Sequence, residues 1–254
     1  MLPFALAHAE PPDLTTLAAR VTPSVVLLEV TGPLGQPSGT GTGFFIDGAI
    51  VTNHHVIAGA TDVTATRSDG TEIAIAGILA DDPERDIALL APEGGPYPAL
   101  ALGSTKGLAT GTEVVVIGSP MGLSASLTAG VVSAVRADGI PQELREDDEG
   151  LAAWGLQISA AISPGSSGSP ILTRNGDVVG VAVGVLVNPG DTLSFGVLSD
   201  VVAEVAATRG KEPVSFTAEA DHARNVNLGI SAVFFAVLGA GWYGLKRKAA
   251  VGKR

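Results

Sequence analysis

The chain is broken into short apolar runs, and nearly every break is made by Gly, Pro, Asn or Asp. Most runs are too short for a helix and rich in Val, Ile, Ala and Thr, which suit a pleated, buried surface. With 33 glycines, 16 prolines and few aromatics in 254 residues, this punctuation predicts an all-β chain of barrels or sandwiches. Strands are expected at Val25–Val30, Gly43–Asp47, Ala49–Thr52, Asp62–Ala65 and Ile73–Leu79, and in the run that starts at Ile87. A second set is expected near Glu113–Gly118, Leu127–Val135, Leu156–Ser159, Pro170–Thr173, Val178–Val187 and Leu193–Val197. Asp47-Gly48 and Arg174-Asn175-Gly176-Asp177 read as hairpin turns. The stretch between the first two strands, Gly32–Thr42, reads as a loop of Gly, Pro, Ser and Thr. Gly/Pro-rich loops at Glu93–Pro98 and Leu102–Thr112 place a boundary between two β halves near residue 100, giving 12–100 and 101–210.

Two short helices flank these halves. Leu14, Leu17, Ala18 and Val21 recur at helical spacing, with Asp13 or Pro12 as the start and Pro23 as the stop. Ser199-Asp200 caps a second helix that ends near Gly210. Residues 211–225 form a polar linker. Val226–Leu245 then runs 20 positions without a charge, followed by the basic tail 246–254 with its five cations. A helix of that length crosses a hydrocarbon core of ~30 Å, and Trp242 and Tyr243 sit where an interfacial aromatic belt would lie. The expectation is one membrane span over 226–245, with the tail cytoplasmic and the body on the other side. Residues 1–11 end in an Ala7-His8-Ala9 pattern and read as the remnant of an export signal.

Charge and composition remove several function classes. Residues 1–226 hold 10 basic and 26 acidic side chains, a net −16, which argues against a nucleic-acid partner. The acidic run Glu143–Glu149 reads as a solvated loop. There is no cysteine, hence no disulfide framework and no thiolate metal site. His54-His55 is a metal half-site at most, and no further ligands stand at fitting spacing; neither cofactor nor metal is expected.

The chemistry concentrates in Ser163-Pro164-Gly165-Ser166-Ser167-Gly168-Ser169-Pro170, a tight turn between two strands. Its glycines let the backbone bend so that amide N–H groups point outward together, beside a hydroxyl. Attack by that hydroxyl plus a ready cradle for an oxyanion is what acyl transfer needs. A serine needs a base, and the base an orienting acid. The pair His54-His55 closes an upstream strand. Asp86 stands at the mouth of an apolar run, where a half-buried carboxylate either caps the strand edge or finds a partner such as an imidazole. Asp81 and Asp82 read as a solvated turn.

Four stretches, 41–57, 81–90, 102–135 and 156–181, resemble the HtrA/DegP-type trypsin-like serine proteases in sequence and in order, over roughly residues 12–208. The resemblance implies two six-stranded antiparallel barrels with the active site in the crevice between them. Its T-N-x-H pattern selects His55 over His54 as the base. Its D-P-x-x-D-[IL]-A pattern selects Asp86, and its G-N-S-G-G-P pattern selects Ser167. The chain order His, Asp, Ser is then that of the chymotrypsin type. The resemblance also implies oxyanion donors on the backbone of Gly165, Ser166 and Ser167, Gly165 and Ser167 foremost, and a substrate pocket partly lined by Ala161, Ile162 and Ser163. No acid stands among those three, so a small or medium apolar side chain is expected before the cleaved bond. Ser166 and Ser169 depart from the Asn and Gly of the pattern. The long regulatory loop of periplasmic members is reduced to Gly32–Thr42, and no PDZ module is expected after the protease domain. The expected function is an endopeptidase acting on extended proteins outside the cytoplasm. Its partners are peptide substrates, a bilayer through 226–245, and a second copy of the chain in a homo-oligomer. A catalytically silent, membrane-tethered peptide binder on the same fold is the rival.

Overall fold

Some strands are buried on one face and some on both, and this difference builds the architecture. The computed structural model describes residues 11–119, 126–136, 139–140, 154–188 and 191–216. The expected signal remnant is nearly all outside these residues, and the acidic run, the membrane span and the basic tail are wholly outside them. Among the described residues no helix is long and apolar enough to cross a membrane.

The first six strands are β1 (Val25–Thr31), β2 (Pro37–Ile46), β3 (Ala49–Thr52), β4 (Asp62–Arg67), β5 (Glu72–Asp82) and β6 (Ile87–Pro92). They close into an antiparallel barrel in the order β1-β2-β3-β6-β5-β4. The second six are β7 (Glu113–Gly118), β8 (Ser126–Val135), β9 (Leu156–Ile158), β10 (Pro170–Thr173), β11 (Val178–Asn188) and β12 (Asp191–Leu198). They close in the order β10-β11-β12-β9-β8-β7. The expected pair of six-stranded barrels is therefore present.

Strands buried on both faces read as continuous apolar runs, and those buried on one face alternate. In β3 and β6, Ile50, Ala88 and Leu90 fill the first barrel, while Ala49, Val51, Ile87 and Leu89 point the other way. In β7 and β10, Val114, Val116 and Ile171 fill the second barrel, while Val115, Ile117 and Leu172 point out of it. The outward sets meet in one shared core between the barrels, joined by Phe44 and Ile46 of β2 and Val181 and Val183 of β11. Three neighbouring strands of each barrel thus form a seam. On the far side of the first barrel, β5 opens with strict alternation of exposed and buried residues.

Three segments differ from expectation. β2 begins at Pro37, inside the stretch expected to be a loop: Thr40, Gly41 and Thr42 pair with Glu29, Leu28 and Leu27 of β1. The edge of β1 recruits a stretch in which Pro37, Gly39 and Gly41 disfavour a strand, because β propensity yields to cross-strand context. The pair His54-His55, expected to close a strand, instead opens one turn of helix, α2 (His54–Ile57), after β3 has ended at Thr52. After helix α3 (Ser199–Ala207), the first residues of the expected linker are seated on the first barrel. The Gly210 N–H donates to the Leu79 carbonyl, Val214 and Ile78 exchange both backbone bonds, and Phe216 enters the barrel core. Gly77 lets this strap approach, since a Cβ there would lie 2.3 Å from the Val214 carbonyl oxygen. At the other end, the N-terminal helix α1 (Leu14–Val21) rests on the β10–β11 hairpin: Arg20 donates to the Asn175 carbonyl and Arg174 to the Pro12 carbonyl.

Candidate active site

Every residue of the expected triad lies at the end of a seam strand. His55 follows β3 and Asp86 precedes β6. These strands are antiparallel neighbours, with Thr52 opposite Ala88, so the end of one meets the start of the other. Ser167 precedes β10 in the facing barrel.

His55 and Asp86 are joined twice. The imidazole Nδ1 lies 2.8 Å from Asp86 Oδ2 and 3.0 Å from Oδ1, and the His55 backbone N–H donates to Oδ1 at 2.9 Å. Asp86 has φ +54°, the left-handed region that Asp tolerates better than most residues. That conformation persists only where the surroundings hold it. Here buried Asn53 does so, donating from Nδ2 to the Asp86 carbonyl at 2.9 Å. The threading of Nδ1 onto a carboxylate fixes the ring's orientation.

The neighbouring histidine is not idle. His54 Nδ1 lies 2.8 and 2.9 Å from the two carboxylate oxygens of Asp81. Asp81, expected on a solvated turn, has a side chain only 9% exposed. Asp82 is likewise engaged: it binds Arg85, which also reaches Glu204 on α3. The Asp82 hydrogen bond is the main reason the Arg85 guanidinium is held above its usual range. Sequence reasoning missed the His54–Asp81 pair, whose signal was two acids preceding the Asp86 motif and two histidines facing them.

Around Ser167 the backbone makes two consecutive tight turns. The Ser166 N–H donates to the Ser163 carbonyl at 2.9 Å, closing a turn with Pro164 and Gly165 at its centre. Proline fixes a negative φ, and Gly165 has φ +90°, so this turn is type II. The Ser169 N–H donates to the Ser166 carbonyl at 3.0 Å, and the Gly168 N–H to the Ala182 carbonyl at 2.9 Å. Among the described residues nothing accepts from the N–H groups of Gly165 and Ser167. Of the three amides expected as oxyanion donors, that of Ser166 is spent on its own turn, and the other two are open. The Ser167 hydroxyl donates to the Val183 carbonyl at 2.9 Å.

The two halves of the site meet across β2. A Cβ on Gly41 would lie 2.6 Å from Val56 Cγ1 on α2 and 3.3 Å from the Ser167 carbonyl oxygen. One on Gly168 would lie 1.9 Å from the Thr42 carbonyl oxygen. Glycine is needed at both positions for the barrels to touch here. Before the turn, Ile162 packs against the core of the second barrel, Ala161 and Ser163 are exposed, and Thr128 on β8 holds the Ala161 carbonyl at 2.9 Å. Among the described residues no cluster of three or more His, Asp or Glu could hold a metal ion.

A family model for the trypsin-like peptidase domain matches residues 41–181, which contain all three expected catalytic residues. A probable periplasmic serine endoprotease, DegP-like, of Pseudomonas fulva (strain 12-X) is 37% identical over 170 residues. That match covers 65% of this chain and 34% of the relative. A protein of the same description from Chlamydia trachomatis serovar D is 35% identical over 182 residues, covering 67% of this chain and 35% of that protein. The chain therefore spans about a third of the length of the curated relatives it matches. Among solved structures, the HtrA-type protease AlgW with a tripeptide superposes with a TM-score of 0.67 at 28% identity, over 78% of this chain and 63% of that one. The same protease with a decapeptide gives 0.64 at 26%, over 78% and 67%. The chain belongs to the trypsin-like peptidase domain family.

Proposed function

We propose that this protein is a serine endopeptidase that cleaves extended protein segments outside the cytoplasm. The observation that carries the reading is the grip of Asp86 on His55 at both Nδ1 and the backbone N–H. In the proposed reaction Ser167 Oγ attacks the scissile carbonyl carbon while its proton passes to His55 Nε2. Asp86 accepts from Nδ1–H and stabilises the imidazolium that forms. The carbonyl oxygen becomes an oxyanion that accepts hydrogen bonds from the Gly165 and Ser167 N–H groups. Collapse of this intermediate breaks the C–N bond, and the leaving amine takes the proton from Nε2. Water then attacks the acyl-enzyme by the same route in reverse.

The substrate strand adds along an edge of the second barrel, with its small or medium apolar side chain directed toward Ala161, Ile162 and Ser163. Residues 226–245 anchor the enzyme in the bilayer, with 246–254 on the cytoplasmic side. The periplasmic description of the matched relatives supports an extracytoplasmic site of action. Fluorophosphonate labelling of the full chain tests the chemistry. Wild type and His54→Ala are expected to label, while Ser167→Ala and His55→Ala fail, with cleavage of a casein-type substrate falling by at least about a thousandfold. Turnover that survives Ser167→Ala would sink the reading. So would wild type that binds peptides without labelling, which would leave a silent binder.

A further inference from the structure

Thr42 lies on the first barrel, yet most of its polar groups are engaged with the second. It is fully buried on β2, opposite Leu27 of β1. Its backbone N–H donates to the Ser167 carbonyl at 2.8 Å. Its hydroxyl donates to the Gly165 carbonyl at 2.8 Å and accepts from the Ser119 N–H at 3.0 Å. Its own carbonyl is held by the Thr52 hydroxyl at 2.8 Å. Each of these groups is therefore engaged, mostly across the seam.

The N–H and C=O of one peptide point in opposite directions. In the peptide joining Gly165 and Ser166, the carbonyl is tied to Thr42 and the N–H to Ser163. In the peptide joining Ser167 and Gly168, the carbonyl is again tied to Thr42 and the N–H to Ala182. The peptide between them has its carbonyl held by Ser169, so its N–H, that of Ser167, faces the other way. Thr42 thus fixes the peptides on either side of the open Ser167 amide, and the peptide that follows the open Gly165 amide. Glycine has wide conformational freedom, and the Thr42 hydroxyl is the side-chain contact that holds the Gly165 carbonyl.

We propose that Thr42 is a positioning residue whose hydroxyl couples the seating of the first barrel to the oxyanion turn of the second. Without that hydroxyl the peptide joining Gly165 to Ser166 loses its carbonyl anchor, and the dihedral freedom of Gly165 lets the turn that aims the Gly165 and Ser167 amides shift. This inference rests on the reading of Gly165 and Ser167 as oxyanion donors. Valine matches threonine in shape but supplies no hydroxyl, and serine supplies the hydroxyl without the methyl group.

The test compares wild type, Thr42→Val and Thr42→Ser as full chains. Measured are kcat and KM on a peptide substrate, the fluorophosphonate labelling rate, and affinity for a valine-terminated peptide aldehyde against the corresponding alcohol. The aldehyde forms a tetrahedral adduct that needs the cradle, and the alcohol does not. Deleting one direct oxyanion donor costs about a hundredfold to a thousandfold in kcat; misaiming one is expected to cost about tenfold to a hundredfold. Thr42→Val should show that loss in kcat, labelling and aldehyde affinity, with KM and alcohol affinity within about twofold. Thr42→Ser should stay within about threefold of wild type. Should Thr42→Val fail to fold in a thermal melt, Thr42→Cys, a weak donor of similar reach, is held to the same numbers. Wild-type labelling with an unchanged valine or cysteine variant overturns the Thr42 role alone, as does a serine variant that falls as far as valine. Wild type that never labels overturns the protease reading and this role together.

Discussion

Two glycines with similar positive φ separate strain from contact at the scale of single residues. Gly48 and Gly168 both have positive φ, but a Cβ on Gly48 meets nothing within 4 Å while one on Gly168 strikes Thr42 and Thr52. Gly48→Ala should cost about 1–2 kcal/mol from conformation alone. Gly168→Ala adds a collision with backbone and should exceed about 4 kcal/mol, in the range reserved for gross disruption; chemical denaturation of both variants checks the order. The His54–Asp81 pair gives a second residue-scale expectation. His54→Asn and Asp81→Asn should each destabilise, and their double mutant should fall short of the sum by about 0.5–3 kcal/mol, as for groups in direct contact. The candidate site was legible where a motif carries its own chemistry: His55, Asp86 and Ser167 each stand in a distinctive local pattern. Thr42 was not legible, because a lone threonine between two glycines acquires its meaning from Gly165, more than a hundred positions away.

Single elements show why some stretches announced themselves and others did not. β3, β7 and β10 stand where they were expected, because the apolar runs inside them, Ala49–Val51, Val114–Ile117 and Pro170–Leu172, are buried on both faces and carry no internal polar break. The start of β2 carries no such mark, since its first four residues are exposed and its order comes from β1. Helix α1 was legible from both pattern and cap. The Asp13 carboxylate accepts from the Thr16 N–H at 2.8 Å and from its hydroxyl at 3.0 Å. Those bonds hold the Asp13 carboxyl below its ordinary value. A carboxyl depressed in the folded state stabilises above its unfolded pKa, and that contribution vanishes as the pH falls through the folded one. The stability difference between wild type and Asp13→Ala should therefore be full near neutrality and shrink below about pH 4. Thermal melts across that range would reveal a flat difference if the cap bonds were unimportant.

At the scale of the whole molecule, the segment that leaves α3 returns to the barrel it did not come from. Phe216 is 5% exposed inside the first barrel, and Phe216→Ala should cost about 3–5 kcal/mol, the usual range for emptying an aromatic site. Its denaturation midpoint decides this. An unchanged midpoint would mean that the strap is an ornament of the barrel and not part of its core. Since α1 lies on the second barrel and the strap on the first, each half of the polypeptide clasps the other. A protease nick in the connector between residues 93 and 112 would thus release no free lobe: the two fragments should migrate as one particle in native gels and separate only in denaturant.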